Sequence, residues 1–261
     1  MEQNYSPNKL KNEYERLIRQ YLPKLNGTVR KHLIYNNDDN EIRFWNCVDV
    51  EKAKDGILWM SINPSGEPMR KNEMPVFNKT WDMVRNDLTG NKKVDCYWLQ
   101  MLDNIRDVED ICGHMDLLPI HWGNEKEMAS FMFPREKGKS ECPEIQLAYN
   151  LIQESKKMIE ALQPKLIIYS NASTAWLWGN GDPNFWLGYN PQPVKTEVID
   201  SLKKRGVSHG RLLTDKTSLY TINLGDRKTY LLIDYQVAIR HKKYVPLTGE
   251  DVKIIWEFFN K

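Results

Sequence analysis

The sequence has few of the features that mark a disulfide scaffold, a thiolate metal site or a membrane protein. Its four cysteines are far apart and include no Cys-x-x-Cys pair: Cys47, Cys96, Cys112 and Cys142. This spacing argues against a zinc or iron–sulfur site and is typical of reduced thiols, so we expect a cytoplasmic protein without a metal or other cofactor. The amino-terminal residues lack a signal-peptide pattern. No stretch approaches the ~18 apolar residues of a membrane span, so no membrane partner is predicted.

Several common catalytic signatures are also missing. The chain has no Gly-x-Ser-x-Gly elbow, no Gly-x-x-x-x-Gly-Lys-Ser/Thr loop, no His-Glu-x-x-His pair and no Gly-x-Gly-x-x-Gly turn. Their absence gives no support to a serine hydrolase, a P-loop nucleotidase, a zinc protease or a dinucleotide-dependent enzyme. The net charge of +2 neither requires nor excludes a nucleic-acid partner, because a local basic patch matters more than the total.

One stretch combines a buried strand with a polar loop. Residues 56–62 are a nearly continuous apolar run, which predicts a central strand. The sequence Asn63-Pro64-Ser65-Gly66 follows and continues neither a strand nor a helix. In open α/β sheets, ligands bind at the edge to which such a strand leads. The alternative is a tight turn in which Asn63 only caps its own loop.

The order of the predicted elements indicates an α/β fold. Apolar periodicity and turn residues predict helices over 8–25, 76–88, 143–162, 195–205 and 249–260, a hairpin over 32–48, and strands over 56–62, 114–120, 166–169, 211–213, 218–224 and 229–233. Residues 94–102 fit a strand or a helix, and 124–142 read as a loop with at most one helical turn. We expect one domain over 1–261 with a mainly parallel sheet, helices on both faces and an amino-terminal extension of about 1–50.

Four segments together resemble the uracil-DNA glycosylase superfamily. Ile62-Asn63-Pro64 is similar to the first motif of its mismatch-specific and single-strand-selective branches. Pro75-Val76-Phe77, the strand ending Asp116-Leu117-Leu118-Pro119, and the unit Pro164 to Ala172 that follows a long helix occur in the family's order. The resemblance covers about residues 56–258 and implies a three-layer sandwich, with a mainly parallel sheet flanked by helices.

The resemblance also implies an activity and roles for named residues. The protein would be a monomer that binds single- or double-stranded DNA and hydrolyses the N-glycosidic bond of a damaged or deaminated base. Asn63 would orient the attacking water, Phe77 would stack on the flipped base, and Asp116 would read the edge of that base. Further substrate-binding candidates are Ile62, Pro64, Ser65, Asn171 and Gln236. The alternatives for Phe77 and Asp116 are a core aromatic and a capping or surface carboxylate.

The chain departs from the family at the second motif. After the last strand the family has His-Pro-Ser or Asn-Pro-Ser, whereas Asp234-Tyr235-Gln236 stands here and His241 follows seven residues after Asp234. Asp234 and His241 are therefore the further catalytic candidates. Two other functions stay open: a non-catalytic nucleic-acid-binding protein with this fold, and an enzyme that acts on a small nucleoside-like ligand. The basic groups 137–139, 203–205 and 240–243 are either solvated charges or a phosphate track.

Overall fold

The architecture was determined from a computed structural model of the 261-residue chain. The structure describes residues 5–35, 38–42, 47–62, 76–89, 96–122, 125–132, 142–179, 186–209, 212, 218–234 and 245–261.

The helices begin at residues that satisfy their first backbone N–H groups. The Ser6 side chain accepts from the Lys9 amide at the start of the first helix, and Thr248 and Asp251 form a capping box at the start of the last one. In chain order the described α-helices are α1 Pro7–Tyr21, α2 Gly27–Arg30, α3 Trp81–Thr89, α4 Cys96–Ile105, α5 Glu125–Met132, α6 Pro143–Leu162, α7 Thr196–Lys204 and α8 Gly249–Phe259. Short 3-10 helices cover Leu22–Lys24, Val50–Ala53, Glu109–Ile111 and Ala172–Trp178.

Ten strands form a hairpin and a larger sheet among the described residues. They are β1 Ile34–Tyr35, β2 Asp38–Ile42, β3 Cys47–Val48, β4 Ile57–Ser61, β5 Asn78–Lys79, β6 Cys112–Asp116, β7 Leu166–Tyr169, β8 Gln192–Pro193, β9 Leu219–Leu224 and β10 Arg227–Ile233. The first two pair in an antiparallel hairpin. The other eight form one mixed sheet in the order β5-β3-β6-β4-β7-β10-β9-β8.

The chain divides into two compact units. The first consists of Met1–Cys47, Ile62–Asn78 and Asp116–Ala161, and the second of Val48–Ser61, Lys79–Met115 and Leu162–Lys261. In the first unit, α1 and the preceding Tyr5 contact α6 through buried hydrogen bonds. The Tyr14 hydroxyl lies 2.5 Å from the Ser155 hydroxyl, and Tyr5 donates a hydrogen bond to the Glu154 carboxylate. The amino-terminal helix therefore belongs to the core of this unit.

Three parallel strands form the centre of the second unit. Strand β7 pairs in parallel with β4 on one side and with β10 on the other, and β10 pairs antiparallel with β9. All residues of β4 and β7 are buried. Strands buried on both faces are expected to be continuously apolar, as Ile57–Met60 and Leu166–Tyr169 are. Gly56 precedes β4 because no larger residue fits: an added Cβ would lie 2.2 Å from the Ile111 carbonyl oxygen.

The predicted α/β class and the main elements are confirmed. The predicted helix 143–162 and strand 166–169 match α6 and β7, and 56–62 contains β4 at the centre of the sheet. None of the helices within the described ranges is long and apolar enough to cross a membrane. The assignment of the whole chain to a single domain with an extension stays a prediction.

Three local predictions need correction, and one segment left open is now assigned. The undecided segment 94–102 is helical, as α4, and the predicted loop 124–142 contains the two-turn helix α5. The helix predicted over 76–88 begins only at Trp81, because Asn78 and Lys79 pair as an edge strand. The strand predicted over 211–213 is wrong at Leu212, the described residue there, which is helical.

Candidate functional site

Polar residues stand side by side where the three central strands of the second unit end. The ladder continues past the strands, since the Ser170 amide donates to the Met60 carbonyl at 2.8 Å and the Asp234 amide to the Tyr169 carbonyl at 2.8 Å. Met60 opposes Tyr169, which opposes Ile233, so Ser61, Ser170 and Asp234 occupy the next row. Ligands of parallel α/β sheets bind at this carboxyl edge. We therefore take this row as the centre of the candidate site.

The Asp234 carboxylate lies beside a histidine from another part of the chain. His209 Nε2 is 3.3 Å from Asp234 Oδ1, and the side chains are 1% and 11% exposed. The distance fits an ion pair, although the ring N–H is not aligned for a hydrogen bond to the carboxylate. His209 Nδ1 lies 3.1 Å from the Val245 carbonyl oxygen. Both ring nitrogens therefore face an oxygen acceptor, one of a carboxylate and one of the backbone.

A second polar cluster lies at the end of β4. The Tyr97 hydroxyl donates to Ser61 Oγ at 3.3 Å and lies 3.3 Å from His114 Nε2, and Ser61 Oγ is 3.4 Å from the same nitrogen. Burial lowers the pKa of His114 to about 3, because the charged ring would lose its hydration. The ring is therefore neutral at physiological pH.

The surroundings of His114 are apolar and aromatic. The Trp98 ring lies edge-on to it, with ring centroids 5.1 Å apart. On the same strand, burial raises the pKa of the Cys112 thiol, which keeps it protonated and unreactive. This part of the edge can orient hydroxyl groups, but it is a poor place to carry charge.

Asn171 follows the polar row directly and is 3% exposed. Its side-chain oxygen accepts from the Ser173 hydroxyl at 2.6 Å, and its carbonyl accepts from the Thr174 amide at 3.2 Å. These bonds make Asn171 the start of the 3-10 helix Ala172–Trp178. Its predicted role in substrate binding stays a prediction.

Three predicted substrate-binding residues belong to the first unit, and all are buried. Ile62 is 3%, Asp116 5% and Phe77 6% exposed. The Ile62 carbonyl accepts from the Leu118 amide at 2.9 Å, and the Phe77 ring lies edge-on to Tyr14 at 6.1 Å. A stacking role for Phe77 would require part of its ring to be uncovered.

Five predicted site residues lie outside the described residues: Asn63, Pro64, Ser65, Gln236 and His241. The basic groups at 137–139 and 240–243 lie outside them as well. In the remaining basic group, Lys203 is 3.9 Å from Asp200 and the Arg205 guanidinium lies 5.2 Å from the centre of the Phe258 ring. The predicted phosphate track stays a prediction.

Sequence reasoning did not select His209. The residue occurs in Val207-Ser208-His209-Gly210, which matches no catalytic motif, and the tertiary structure brings it to Asp234. Composition alone could have pointed to His209, because the chain has only five histidines and each of them can be considered as a catalytic candidate. Within the described ranges, no group of three or more His, Cys, Asp or Glu side chains is arranged to hold a metal ion.

Sequence comparisons leave the family open. No protein-family model matches the chain, and no curated protein matches it significantly.

Proposed function

We propose that this protein is a DNA glycosylase of the uracil-DNA glycosylase type, which hydrolyses the N-glycosidic bond of a damaged or deaminated base. The observation that carries the proposal is the His209–Asp234 pair at the carboxyl end of β10. The sequence after this strand lacks the histidine of the family's second motif. His209 supplies an imidazole next to that position from a different segment.

The architecture supports the same proposal. The central strands β4, β7 and β10 are parallel and end in one polar row, and such an edge is where α/β folds bind ligands. Asn63 comes two residues after the end of β4 in the sequence. The proposal includes the three-layer arrangement of the superfamily, with helices flanking the sheet.

In the proposed hydrolysis, Asp234 would act on the sugar as the bond to the base breaks. As the bond between the sugar and the base breaks, positive charge develops on the sugar and the base departs with the electron pair. The Asp234 carboxylate would stabilise this positive charge. Its buried surroundings would strengthen the interaction, because a low dielectric constant screens charges weakly.

The attacking water completes the reaction. Asn63 would orient the water through its amide oxygen, the water oxygen would bond to the sugar carbon, and a proton of the water would end on the released base. His209 would act through Asp234, as the group that compensates and holds the carboxylate. His209 is therefore a positioning residue in this proposal.

A cleavage assay tests the proposal. Labelled single- and double-stranded oligonucleotides that carry uracil, hypoxanthine, xanthine or a mismatch are incubated with the protein and then treated with alkali, which breaks abasic sites. We expect cleavage at one of these bases and its loss in Asn63→Ala, while DNA binding is nearly unchanged.

Folded protein at high concentration that cleaves none of the substrates would overturn the proposal for these lesions. The salt dependence of binding then separates the alternatives. Affinity for DNA that falls steeply with salt would indicate a non-catalytic DNA-binding protein. Affinity for a nucleoside that is nearly independent of salt would indicate a small-molecule site.

A further inference from the structure

The first turn of α8 contacts the segment that carries His209. Asp251 Oδ1 accepts a hydrogen bond from the Ser208 backbone amide at 2.6 Å, and the Ser208 hydroxyl lies 3.3 Å from the same oxygen. Asp251 is 1% exposed. Because Ser208 directly precedes His209, this bond fixes the backbone from which the His209 side chain projects.

The other oxygen of the Asp251 carboxylate binds Thr248, which is close in sequence to the carbonyl that faces the His209 ring. Asp251 Oδ2 accepts from the Thr248 hydroxyl at 2.7 Å and from the Thr248 amide at 3.1 Å. Thr248 comes three residues after Val245, whose carbonyl oxygen faces His209 Nδ1 at 3.1 Å. The Asp251 carboxylate therefore hydrogen-bonds both to the residue before His209 and to the segment that supplies the carbonyl partner of His209.

A helix cap alone does not account for this arrangement. The capping box of α8 uses Oδ2 and the bond from the Asp251 amide to the Thr248 hydroxyl, at 3.2 Å. The bond from the Ser208 amide to Oδ1 adds nothing to that cap, yet its donor–acceptor distance is among the shortest at this helix end. Buried carboxylates need several donors, and here one of them comes from the segment next to the candidate site.

We propose that Asp251 is a positioning residue that holds the His209 ring against Asp234 and Val245. An effect of Asp251 on the rate of base release rests on the proposed glycosylase function, whereas its effect on the orientation of the His209 ring does not. Misplacement of a supporting group by about 1 Å can cost about 100-fold in rate, and we expect a loss of that order in Asp251→Ala.

The experiment compares Asp251→Ala with Thr248→Val. Both variants lose the hydrogen bond between the Thr248 and Asp251 side chains of the capping box. Thr248→Val keeps the Asp251 carboxylate and its hydrogen bond from the Ser208 amide. The readout is the set of ring ¹⁵N and ¹H resonances of His209, assigned by their loss in His209→Gln. We expect the wild-type protein and Thr248→Val to give one ring state with Nδ1 protonated, and Asp251→Ala to give shifted or averaged ring signals.

A second pair of variants tests the same bond from the donor side, in case Asp251→Ala does not fold. Ser208→Pro removes the backbone N–H, whereas Ser208→Ala keeps it and removes only the hydroxyl. We expect the ring signals to change in Ser208→Pro alone. Ring signals in Asp251→Ala or Ser208→Pro that coincide with the wild type would overturn the proposal, as would an equal change in Thr248→Val.

Base release measured on the same variants separates the two proposals. A rate that falls in Asp251→Ala and not in Thr248→Val supports both. Ring signals that respond as expected, in a protein that releases no base, would leave Asp251 as a positioning residue and overturn the glycosylase function.

Discussion

His114 and His209 lie at the same sheet edge of the second unit and are equally buried, yet their surroundings differ. Each ring is 1% exposed. His114 meets the hydroxyls of Ser61 and Tyr97 and the edge of an indole, whereas His209 lies between a carboxylate and a backbone carbonyl. Burial is therefore the same for both residues, and the nearest polar partners make the difference.

The nearest partners of the two histidines favour different chemistry. With hydroxyl and aromatic neighbours, the imidazole avoids charge, and the lowered pKa of His114 reflects this. His209 instead lies between two oxygen acceptors, the Asp234 carboxylate and the Val245 carbonyl. In the proposed reaction, the Ser61–Tyr97–His114 cluster would orient hydroxyl groups, whereas Asp234 would stabilise the developing charge and His209 would position Asp234.

The largest difference is expected when one partner is removed from each cluster. Asp234→Ala leaves the buried His209 ring without its carboxylate neighbour, and a buried polar group that loses its partner costs about 1–3 kcal/mol, with charged partners at the upper end. Ser61→Ala removes one hydroxyl from a neutral cluster, which costs about 1 kcal/mol. Urea unfolding of both variants measures the two losses. Equal losses would mean that the His209–Asp234 pair contributes no more than a neutral contact.

A smaller effect is expected from the pH dependence of His114. Its folded pKa of about 3 lies below the ordinary value of 6.5, so between these values the unfolded chain binds more protons than the folded one. The stability gained from the neutral ring is complete above about pH 6.5 and falls as the pH drops towards 3, by at most about 1.4 kcal/mol per pH unit.

Urea unfolding at pH 7, 6 and 5 measures this slope. The wild-type protein should lose up to about 2 kcal/mol more than His114→Gln between pH 6.5 and 5, because the variant has no ring to protonate on unfolding. Parallel loss of stability in the two proteins would show that His114 does not remain neutral in the folded state.

The sequence was sufficient to predict the elements whose ends are set by local chemistry. Pro143 suits the first turn of α6 and Pro164 follows its end, and the short apolar run after Pro164 is β7, so these bounds could be predicted residue by residue. Residues 94–102 could not be assigned, because a short apolar and aromatic segment fits both periodicities until its tertiary contacts are known.

The candidate site was predicted only in part. Asp234 became a candidate because it stands where the resembled family has its second motif, and parallel pairing places it in one row with Ser61 and Ser170. His209 could not be predicted, because only the tertiary structure brings it to Asp234, and its neighbours there are distant in sequence. Its ring faces the Val245 carbonyl, and the amide of the preceding Ser208 donates to Asp251. Local patterns contain no information about contacts of this kind.

The most direct test of the account is single-turnover base release by Asp234→Asn and His114→Gln, on the substrate that the cleavage panel identifies. The Asn side chain keeps the shape of Asp234 and removes the charge that would stabilise the sugar. We expect a loss of about 100-fold or more for Asp234→Asn and less than about tenfold for His114→Gln, which lies in the neutral cluster. Wild-type rates in Asp234→Asn, or the larger loss in His114→Gln, would contradict the assignment of the chemistry to the His209–Asp234 pair.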